Sequence, residues 1–491
     1  MTFYIDPFGG DDANAGTGPD KAWKTLARPS GETFEPGSRL LLVRGGSWNE
    51  GLKLRGRAPA DKLITLGAYG DGPRPRINGG RDHAITADEP VSGWRITGLE
   101  LTSTNDLNPT RKITGGTCGI FLRQEEPCNG LTIDDCLIHH TSGPGIFLQA
   151  TGPVKAVFTD TLVEHCEIHD ASCGLQFWAH PNYGTDFFAG FRIAHVVVHD
   201  IGGDGIVPFC GNNGVIEYCT AYRTGQGVAP EDHSPVGIWY AWAKDCLIQH
   251  CHAYDNRTGG RGADGGGFDL DGGCIDCILQ YNYSHDNEGA GYLICSFDPI
   301  QWPCAGCVCR YNVSVNDGLQ NDYASIHFWQ NVDCQIYNNT CITRSASPVR
   351  FVTSKVDARD NLIANNILLI DSPEDIPLVK SDFDITGNQF RRNLYHRLRG
   401  EPRFAPEGKD IRTLEEWVKL MGAKGEIAGD PMLADISAAD FHLRPDSPCR
   451  GAGISIPDMG HRDFYGTPLP TEGPVDIGCA AVDRRAPKNG P

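Results

Sequence analysis

The chain has 491 residues, and its 62 acidic against 43 basic residues give a formal net charge of −19 at pH 7. This excess of negative charge argues against a nucleic-acid partner, because binding to phosphates requires basic surface. No run of roughly 18 or more apolar residues occurs, so the sequence predicts no membrane-spanning helix.

The N-terminal region, residues 1–95, contains two short apolar runs broken by glycine and proline, LLLVRGG (40–46) and LITLGAYG (63–70). We expect these runs to form strands of an N-terminal cap and of the first coils of a repeat. The opening residues MTFYIDPFGG lack the basic and apolar segments of a signal peptide. The sequence as it stands therefore predicts a cytoplasmic protein, or a periplasmic or secreted one if a signal has been removed.

A short unit of alternating apolar and polar residues repeats through the central region, residues 96–380. LTIDDCLIHH (131–140) aligns with LVEHCEIHD (162–170) and, further on, with ILQYNYSHD (278–286). Strand-like alternation in coils of 23 to 32 residues predicts an all-β parallel β-helix, a solenoid of stacked coils. One position of the coil would then form a structural ladder, occupied by Cys136, Cys166, Val196, Cys219, Cys251, Asn282, Asn312, Asn339 and Asn366.

Each ladder unit is followed by a turn and by another short strand, for example GFDLD (267–271) and SIHFW (325–329). Residues two apart on a strand share a face, so an inward Phe268 places the following residue outward. The outward positions gather carboxylates, three tryptophans and a histidine, which favours a carbohydrate-binding cleft because aromatic rings stack on sugars. The predicted substrate-binding residues on this face and in its turns are Gln176, Trp178, Asp204, Asp232, His233, Trp239, His327 and Trp329.

Four carboxylates near these strands are the predicted catalytic residues: Asp264, Asp269, Asp271 and Glu288. Asp269 and Asp271 are two residues apart on one strand, which corresponds to about 7 Å. Retaining glycosidases hold two carboxyl groups about 5–5.5 Å apart and inverting ones about 6.5–9.5 Å, and this set allows either geometry. Carboxylates in glycine-rich turns are also typical of calcium sites. Residues 264–271 are therefore a candidate calcium site, and we expect that no cofactor is required.

The 19 cysteines recur mainly at the ladder position, which favours buried reduced thiols over a disulfide framework. The exceptions that we consider are Cys304, Cys307 and Cys309 as zinc ligands, although no fourth ligand follows at a suitable spacing. In the C-terminal region, residues 381–491, the segment DIRTLEEWVKLMGAK (410–424) predicts an amphipathic helix that ends near Gly422. We expect this region to supply the last coils and a capping extension.

The segment GGRGADGGGFDLDGGCIDCILQYNYSHDNEGAGYLI (259–294) resembles right-handed parallel β-helix proteins of the pectate-lyase-like superfamily, especially its glycoside hydrolases. The N-terminal FYIDPFGGDDANAGTGPDKAWKTL and the C-terminal GDPMLADISAADFHLRPDSPCRGAG resemble the ends of the same proteins. The resemblance implies a right-handed β-helix over nearly the whole chain. In β-xylosidase-type members an Asp nucleophile pairs with a Glu acid on a nearby coil, which would implicate Asp264, Asp269 or Asp271 together with Glu288.

The leading functional hypothesis is a glycoside hydrolase that cleaves an oligo- or polysaccharide. Glu288 would protonate the leaving oxygen, Asp269 or Asp264 would attack the anomeric carbon or activate water, and Asp271 would orient the site. One alternative is a polysaccharide lyase that acts on a uronate-containing glycan by β-elimination. Another is a non-catalytic glycan-binding solenoid. The expected partner is a carbohydrate, and the flanks of a solenoid also allow a homo-oligomer. Candidate bases for a lyase are Arg261, His233, Lys244 and His327.

Overall fold

A computed structural model describes residues 1–103, 116–153, 155–180, 186–227, 235–259 and 263–481. These residues form two compact units. The first unit comprises residues 1–246 and 256–265, and the second comprises residues 247–255 and 266–491. Each unit is built from parallel coils with up to three strand positions per coil, which we call the first, second and third strands.

In the first unit, the first strands of successive coils pair in register within one parallel sheet. Ile133 pairs with Val163, and Val163 pairs with Ile193. All three side chains are fully buried, because alternation along a strand points every second residue into the coil. The first strands of this unit are Thr2–Ile5, Arg39–Val43, Ile64–Tyr69, Trp94–Thr97, Thr132–Asp134, Leu162–Glu164, Arg192–Ala194 and Val215–Glu217.

The second and third strands of the first unit line the other sides of its coils, and two long strands run through both positions. The bounds are Ser47–Trp48, Leu52–Lys53, Arg76–Asn78, Ile85–Thr86, Glu100–Thr102, Ile120–Gln124, Leu137–Ala150, Glu167–Trp178, Val197–His199, Ile206–Pro208, Thr220–Tyr222 and Val236–Tyr240. A small parallel sheet adds Cys128–Asn129, Phe158–Thr159, Phe188–Ala189 and Gly211–Asn212.

The second unit repeats this arrangement. Its first strands are Leu247–Gln249, Ile278–Gln280, Val308–Arg310, Gln335–Tyr337, Leu362–Ala364 and Gln389–Arg391. Its second and third strands are His252–Tyr254, Gly266–Leu270, Tyr283–His285, Tyr292–Cys295, Val313–Val315, Ile326–Trp329, Thr340–Thr343, Val349–Val352, Ile367–Ile370, Val379–Ser381, Leu394–Arg397, Phe404–Ala405 and Ile427–Ala428. An antiparallel pair, Leu433–Asp435 and Asp440–Leu443, follows.

The described helices are short. They are the α-helices Ala27–Ser30 and Leu414–Met421 and the 3-10 helices Pro19–Lys21, Pro406–Gly408 and Ile436–Ala438. Leu414–Met421 lies within the predicted helix and ends at Gly422 as expected, but it begins later because Thr413 caps it by accepting the backbone N–H of Glu416. None of the helices in the described part of the chain is long and apolar enough to cross a membrane.

The stacked asparagines of the second unit form a continuous hydrogen-bonded ladder. Nδ2 of Asn312 donates to Oδ1 of Asn339 at 3.1 Å and to the carbonyl oxygen of Leu279 in the preceding coil at 3.0 Å. The backbone N–H of Asn312 donates to the same Oδ1 at 3.0 Å. Asn282, Asn339, Asn366 and Asn393 repeat this pattern, and all are buried. Because each amide is satisfied on both sides, the predicted ladder is a structural element.

The cysteines at the ladder position of the first unit form only part of this hydrogen-bond pattern. Sγ of Cys166 lies 3.8 Å from the carbonyl oxygen of Ile133, and Sγ of Cys219 lies 3.6 Å from that of Ile193. The thiol therefore occupies the place of the amide donor, whereas it has no oxygen to accept from a neighbouring coil. All 19 cysteines of the chain are buried free thiols.

The asparagine ladder ends on a carboxyl group. Oε2 of Glu426 accepts the backbone N–H of Asn393 at 3.3 Å and its Nδ2 at 3.1 Å. Burial raises the pKa of Glu426 to about 7, against the opposing effect of hydrogen bonds from Tyr395 and Asn393. The last rung of the ladder therefore lies in surroundings that favour the protonated acid.

The predicted fold class, an all-β right-handed parallel β-helix, is confirmed. The predicted division into a cap (1–95), a core (96–380) and a C-terminal region (381–491) stays a prediction.

Candidate functional site

Two predicted catalytic residues, Asp269 and Asp271, lie on the outward face of the second unit. Phe268 and Leu270 of the strand Gly266–Leu270 are fully buried in the coil. Because successive side chains of a strand alternate, Asp269 and Asp271 lie on the opposite face. This arrangement matches the predicted orientation.

A single row of outward positions extends from Asp269 across the neighbouring strands. Its members pair in register in the order Asp269, Leu293, His327, Arg350 and Lys380. We call these residues the outward row. Adjacent strands are about 4.8 Å apart, so the backbones at Asp269 and His327 are separated by about 10 Å, the length of roughly two sugar units.

The outward row is covered over much of its length. Asp269 is 1% exposed, Leu293 3% and His327 5%. The sequence predicted which side of the strand these residues occupy, and the structure adds that this side is a buried surface rather than an open one. Charged and polar groups on it are therefore partly removed from water.

Asp271 has the electrostatic property that a general acid needs. It is half-buried, and burial raises its pKa to about 6. Hydrogen bonds from the Cys295 thiol and from the backbone N–H of Gly272, the latter at 2.6 Å, oppose this rise without cancelling it. Asp271 therefore carries its proton in weakly acidic solution, where an exposed aspartate would have lost it.

Glu288 lies in the turn that precedes the strand Tyr292–Cys295, and its side chain is half-buried. Its carbonyl oxygen accepts the backbone N–H of Gln320 at 2.8 Å. The adjacent Asn287 is buried and donates from Nδ2 to Asp317 at 2.7 Å. Two hydrogen bonds with the next coil, one at the backbone carbonyl of Glu288 and one from the side chain of Asn287, thus hold this turn in place.

The His327 ring packs against that of Tyr323 in a tilted arrangement, with 4.8 Å between the ring centroids. Burial, together with the positive charge of Arg350, lowers the pKa of His327 to about 3. The imidazole is therefore neutral at physiological pH and is a weak base. Trp329, two residues further along the strand, packs against the apolar cluster of Ala290, Leu293, Cys295 and Tyr323.

In the first unit, Asp204 and Trp239 contact each other directly. Oδ1 of the buried Asp204 accepts Nε1–H of Trp239 and the backbone N–H of Val236, each at 3.0 Å. The Trp239 ring is 9% exposed and lies edge-on to Phe209 at 5.2 Å. These contacts hold the Trp239 side chain in one orientation, and the predicted role of the pair in substrate binding stays a prediction.

The other predicted residues of the first unit occupy further positions along its coils. Gln176 is 5% exposed and pairs in register with Phe147 and Val207. Trp178 is half-buried, and its ring lies 6.3 Å from that of His180. Asp264 is half-buried in a turn and has a left-handed backbone with φ of 51°. Asp232, His233 and Arg261 lie outside the described residues.

Arg350 is the functional candidate that sequence reasoning missed. Its position was readable, because PVRFV (348–352) continues the series of third strands beyond SIHFW by one more coil. An arginine matches none of the preceding outward residues, so the sequence alone did not assign it to the outward face.

A cavity of about 670 Å³ opens in the first unit, and its lining includes none of the predicted site residues. The rings of Phe121 and His83 lie in its wall, with 4.5 Å between their centroids. Lys53, Arg123 and several carboxylates also line the cavity. Nδ1 of His83 accepts the backbone N–H of Cys118 at 2.9 Å, which places the proton of the neutral ring on Nε2.

Metal ligands are not grouped within the described residues. No cluster of three or more His, Cys, Asp or Glu side chains there is arranged to hold a metal ion. Cys304 and Cys307 are nevertheless close, with 3.8 Å between their sulfur atoms, and both are buried. The zinc and calcium sites considered above stay predictions.

The chain was compared with known proteins in sequence and in fold. No model of a known protein family matches the chain. Over 475 residues it is 25% identical to a lacto-N-biosidase from Bifidobacterium longum subsp. longum, a match that covers 75% of this chain. The chain spans only 29% of the length of that relative.

Two solved structures share the fold. A GH136 lacto-N-biosidase from Eubacterium ramulus has a TM-score of 0.57 and 21% identity, covering 74% of this chain and 67% of the other. A complex of XylC with xylose has a TM-score of 0.50 and 13% identity, covering 98% of each chain. These structural similarities confirm the β-helix fold.

Proposed function

We propose that the protein is a glycoside hydrolase in which Asp271 is the general acid. The observation that carries the proposal is the outward pair Asp269 and Asp271, of which Asp271 has a pKa of about 6 because of burial. The similarity to a lacto-N-biosidase over three quarters of the chain supports the same reaction class.

Asp271 would protonate the glycosidic oxygen as the bond to the anomeric carbon breaks. We assign this step to Asp271 rather than to Glu288, the acid expected from the sequence, because burial raises the pKa of the Asp271 carboxyl to about 6. The second carboxylate is Asp269, Glu288 or Asp264. It would attack the anomeric carbon in a retaining mechanism or activate water in an inverting one.

The test uses four variants, Asp264→Asn, Asp269→Asn, Asp271→Asn and Glu288→Gln, with Asp333→Asn as a matched control. Asp333 is exposed and lies outside the outward row. Each variant is assayed on one glycone with two leaving groups, a sugar and p-nitrophenol. Removal of the general acid should lower kcat by about 10² to 10⁴-fold for the sugar and much less for p-nitrophenol, which leaves without protonation. Removal of the second carboxylate should slow both substrates equally.

Asp271→Asn with wild-type kcat on the sugar leaving group would show that the acid is wrongly assigned. If all four variants retain wild-type activity, the paired carboxylates do not carry the reaction at all. Addition of azide to the inactive variants extends the test, since the configuration of a rescued glycosyl azide distinguishes a retaining from an inverting enzyme.

For the substrate, we propose a lacto-N-bioside, the class indicated by the name of the relative. A panel of p-nitrophenyl glycosides that includes the lacto-N-bioside and the β-xyloside tests this choice. Selective release of p-nitrophenol from the lacto-N-bioside is expected. Hydrolysis of the xyloside alone would contradict the proposed sugar while leaving the reaction class intact.

The lyase alternative has less support from the outward row. A lyase needs a base that removes the proton next to a uronate carboxyl group, and His327, with a pKa of about 3, is a poor one. Ultraviolet absorbance from an unsaturated uronate product would identify a lyase. Binding of glycans without any turnover would instead favour the non-catalytic solenoid.

Calcium near residues 264–271, a homo-oligomeric state and a cytoplasmic, periplasmic or secreted location stay predictions. Activity that survives extensive chelation would contradict a requirement for calcium.

A further inference from the structure

Three polar groups on the outward side of the strands that follow the proposed acid are buried without a hydrogen-bond partner among the described residues. They are Nδ1 of His327, Nε1 of Trp329 and Nε of Arg350. A buried donor or acceptor that loses water and gains no partner costs about 1–3 kcal/mol. Native proteins therefore contain few such groups, and a cluster of them commonly marks a site that a ligand or ordered water completes.

The three groups belong to adjacent positions of one surface. His327 and Arg350 pair in register on neighbouring strands, and Trp329 lies two residues beyond His327 on the same face. The backbone at His327 is thus about 5 Å from that at Arg350 and about 7 Å from that at Trp329, comparable to one sugar ring. Along the outward row, His327 lies two strands from Asp269.

Arg350 is fixed in place by partners that leave Nε–H available. Nη1 donates to the carbonyl oxygen of Asp322 at 2.5 Å and forms an ion pair with its carboxylate, while Nη2 lies 3.2 Å from Asp382. Lys380 also forms an ion pair with Asp322. The two cations and two carboxylates balance, so this region carries no net charge that would attract an anionic sugar.

The surroundings of the three groups are apolar on one side. Leu293, Cys295 and Tyr323 pack with Trp329 in one cluster, and the Tyr323 ring also contacts that of His327. Two N–H donors and an imidazole nitrogen therefore lie at the edge of an apolar surface. A neutral sugar ring offers the matching combination of a C–H face and acceptor oxygens.

We propose that Arg350, His327 and Trp329 form a subsite that binds a neutral sugar unit through an acceptor oxygen, a hydroxyl or an acylamino carbonyl. The proposal rests on the glycosidase function proposed above and adds Arg350 as a residue that determines specificity. Nε–H of Arg350 and Nε1–H of Trp329 donate to the sugar, and His327 supplies a third hydrogen bond as donor or acceptor.

The test compares Trp329→Phe and Arg350→Lys with Trp417→Phe as the matched control. Trp329→Phe keeps an aromatic ring and removes one N–H, and Arg350→Lys keeps the charge and removes Nε–H. Nε1 of Trp417 already donates to the Tyr395 hydroxyl at 3.3 Å, in a buried position outside the outward row. The readouts are KM and kcat with p-nitrophenyl lacto-N-bioside and the thermal unfolding midpoint of the free protein.

The subsite predicts that function and stability respond in opposite directions. Trp329→Phe should raise KM about 3- to 10-fold and Arg350→Lys about 10-fold, with kcat within about twofold of the wild type. Trp329→Phe should not lower the unfolding midpoint of the free protein, since it removes a donor that has no partner. Trp417→Phe should do the reverse, lowering the midpoint at unchanged KM.

A lower unfolding midpoint with unchanged KM in Trp329→Phe would assign these groups a structural role or a bound water only, and would overturn the subsite. If the wild type hydrolyses no glycoside, the proposed function fails, and calorimetry with lacto-N-biose, xylose and glucuronic acid then tests the subsite separately. Binding of a neutral sugar that Trp329→Phe weakens supports it. Binding of none of the three sugars, or tighter binding of glucuronic acid, contradicts it.

Discussion

Replacement of the last rung of the asparagine ladder, Glu426→Gln, should remove a specific part of the pH dependence of stability. Glutamine keeps an oxygen that accepts from the backbone and side chain of Asn393, and it cannot ionise. In the folded protein burial raises the pKa of Glu426 to about 7 from an ordinary value of 4.5. The folded state therefore binds this proton more tightly than the unfolded state does.

The sign and size of the effect follow from that difference. Stability contributed by the protonated carboxyl is fully present below pH 4.5 and is lost as the pH rises through about 7. For pKa values of 4.5 and about 7, the loss between pH 5 and pH 8.5 is about 2.5 kcal/mol. The difference in unfolding free energy between Glu426→Gln and wild type should grow by this amount over the same interval.

Urea unfolding of both proteins at the two pH values measures this double difference. The double difference cancels any pH-independent effect of the amide and the titration of every other group. Glu374→Gln is the control because Glu374 is exposed, and its difference from the wild type should not change with pH. A double difference near zero for Glu426→Gln would refute the argument that the ladder ends on a protonated acid.

Three further outcomes are expected. Asn339→Ala should lower the unfolding free energy by about 3 kcal/mol or more in urea unfolding, since it leaves several buried partners unsatisfied, whereas Gln301→Ala on the surface should change it by less than about 0.5 kcal/mol. Thr413→Ala should cost about 1 kcal/mol by the same measurement because it removes the cap that accepts from Glu416, and Thr413→Ser should restore it. For sugar leaving groups, kcat should fall as the pH rises above about 6, where Asp271 loses its proton, and Asp271→Asn should show no such limb in its pH profile.

The fold was predictable because the same sequence pattern recurs in coil after coil. The ladder residues recur once per coil, and alternation on either side of Asn312 or Asn339 identifies the buried face without any knowledge of distant contacts. The helix Leu414–Met421 was predictable for the same local reason, although its first residue depends on the side chain of Thr413.

The site was only partly predictable, because its chemistry depends on what covers the coil. Alternation correctly placed Asp269, Asp271 and His327 on one face. It could not give the pKa of Asp271 or of His327, since burial sets both and burial comes from neighbours in other coils. Arg350 shows a different limit, because its strand fits the repeat but its side chain matches none of the preceding outward residues.

The ladder of the second unit also determines what happens if the chain is shortened. Every rung offers the same donors and acceptors, so a rung without its successor presents an unpaired edge that fits the rung of another molecule. In the intact protein Glu426 occupies that place for Asn393. Proteolysis between these two residues would expose such an edge together with the adjacent strand, and strand edges of this kind recruit further copies. In the intact chain, Glu426 covers the last asparagine and the strand Ile427–Ala428 pairs with the strand that begins at Leu394, so neither edge is left open.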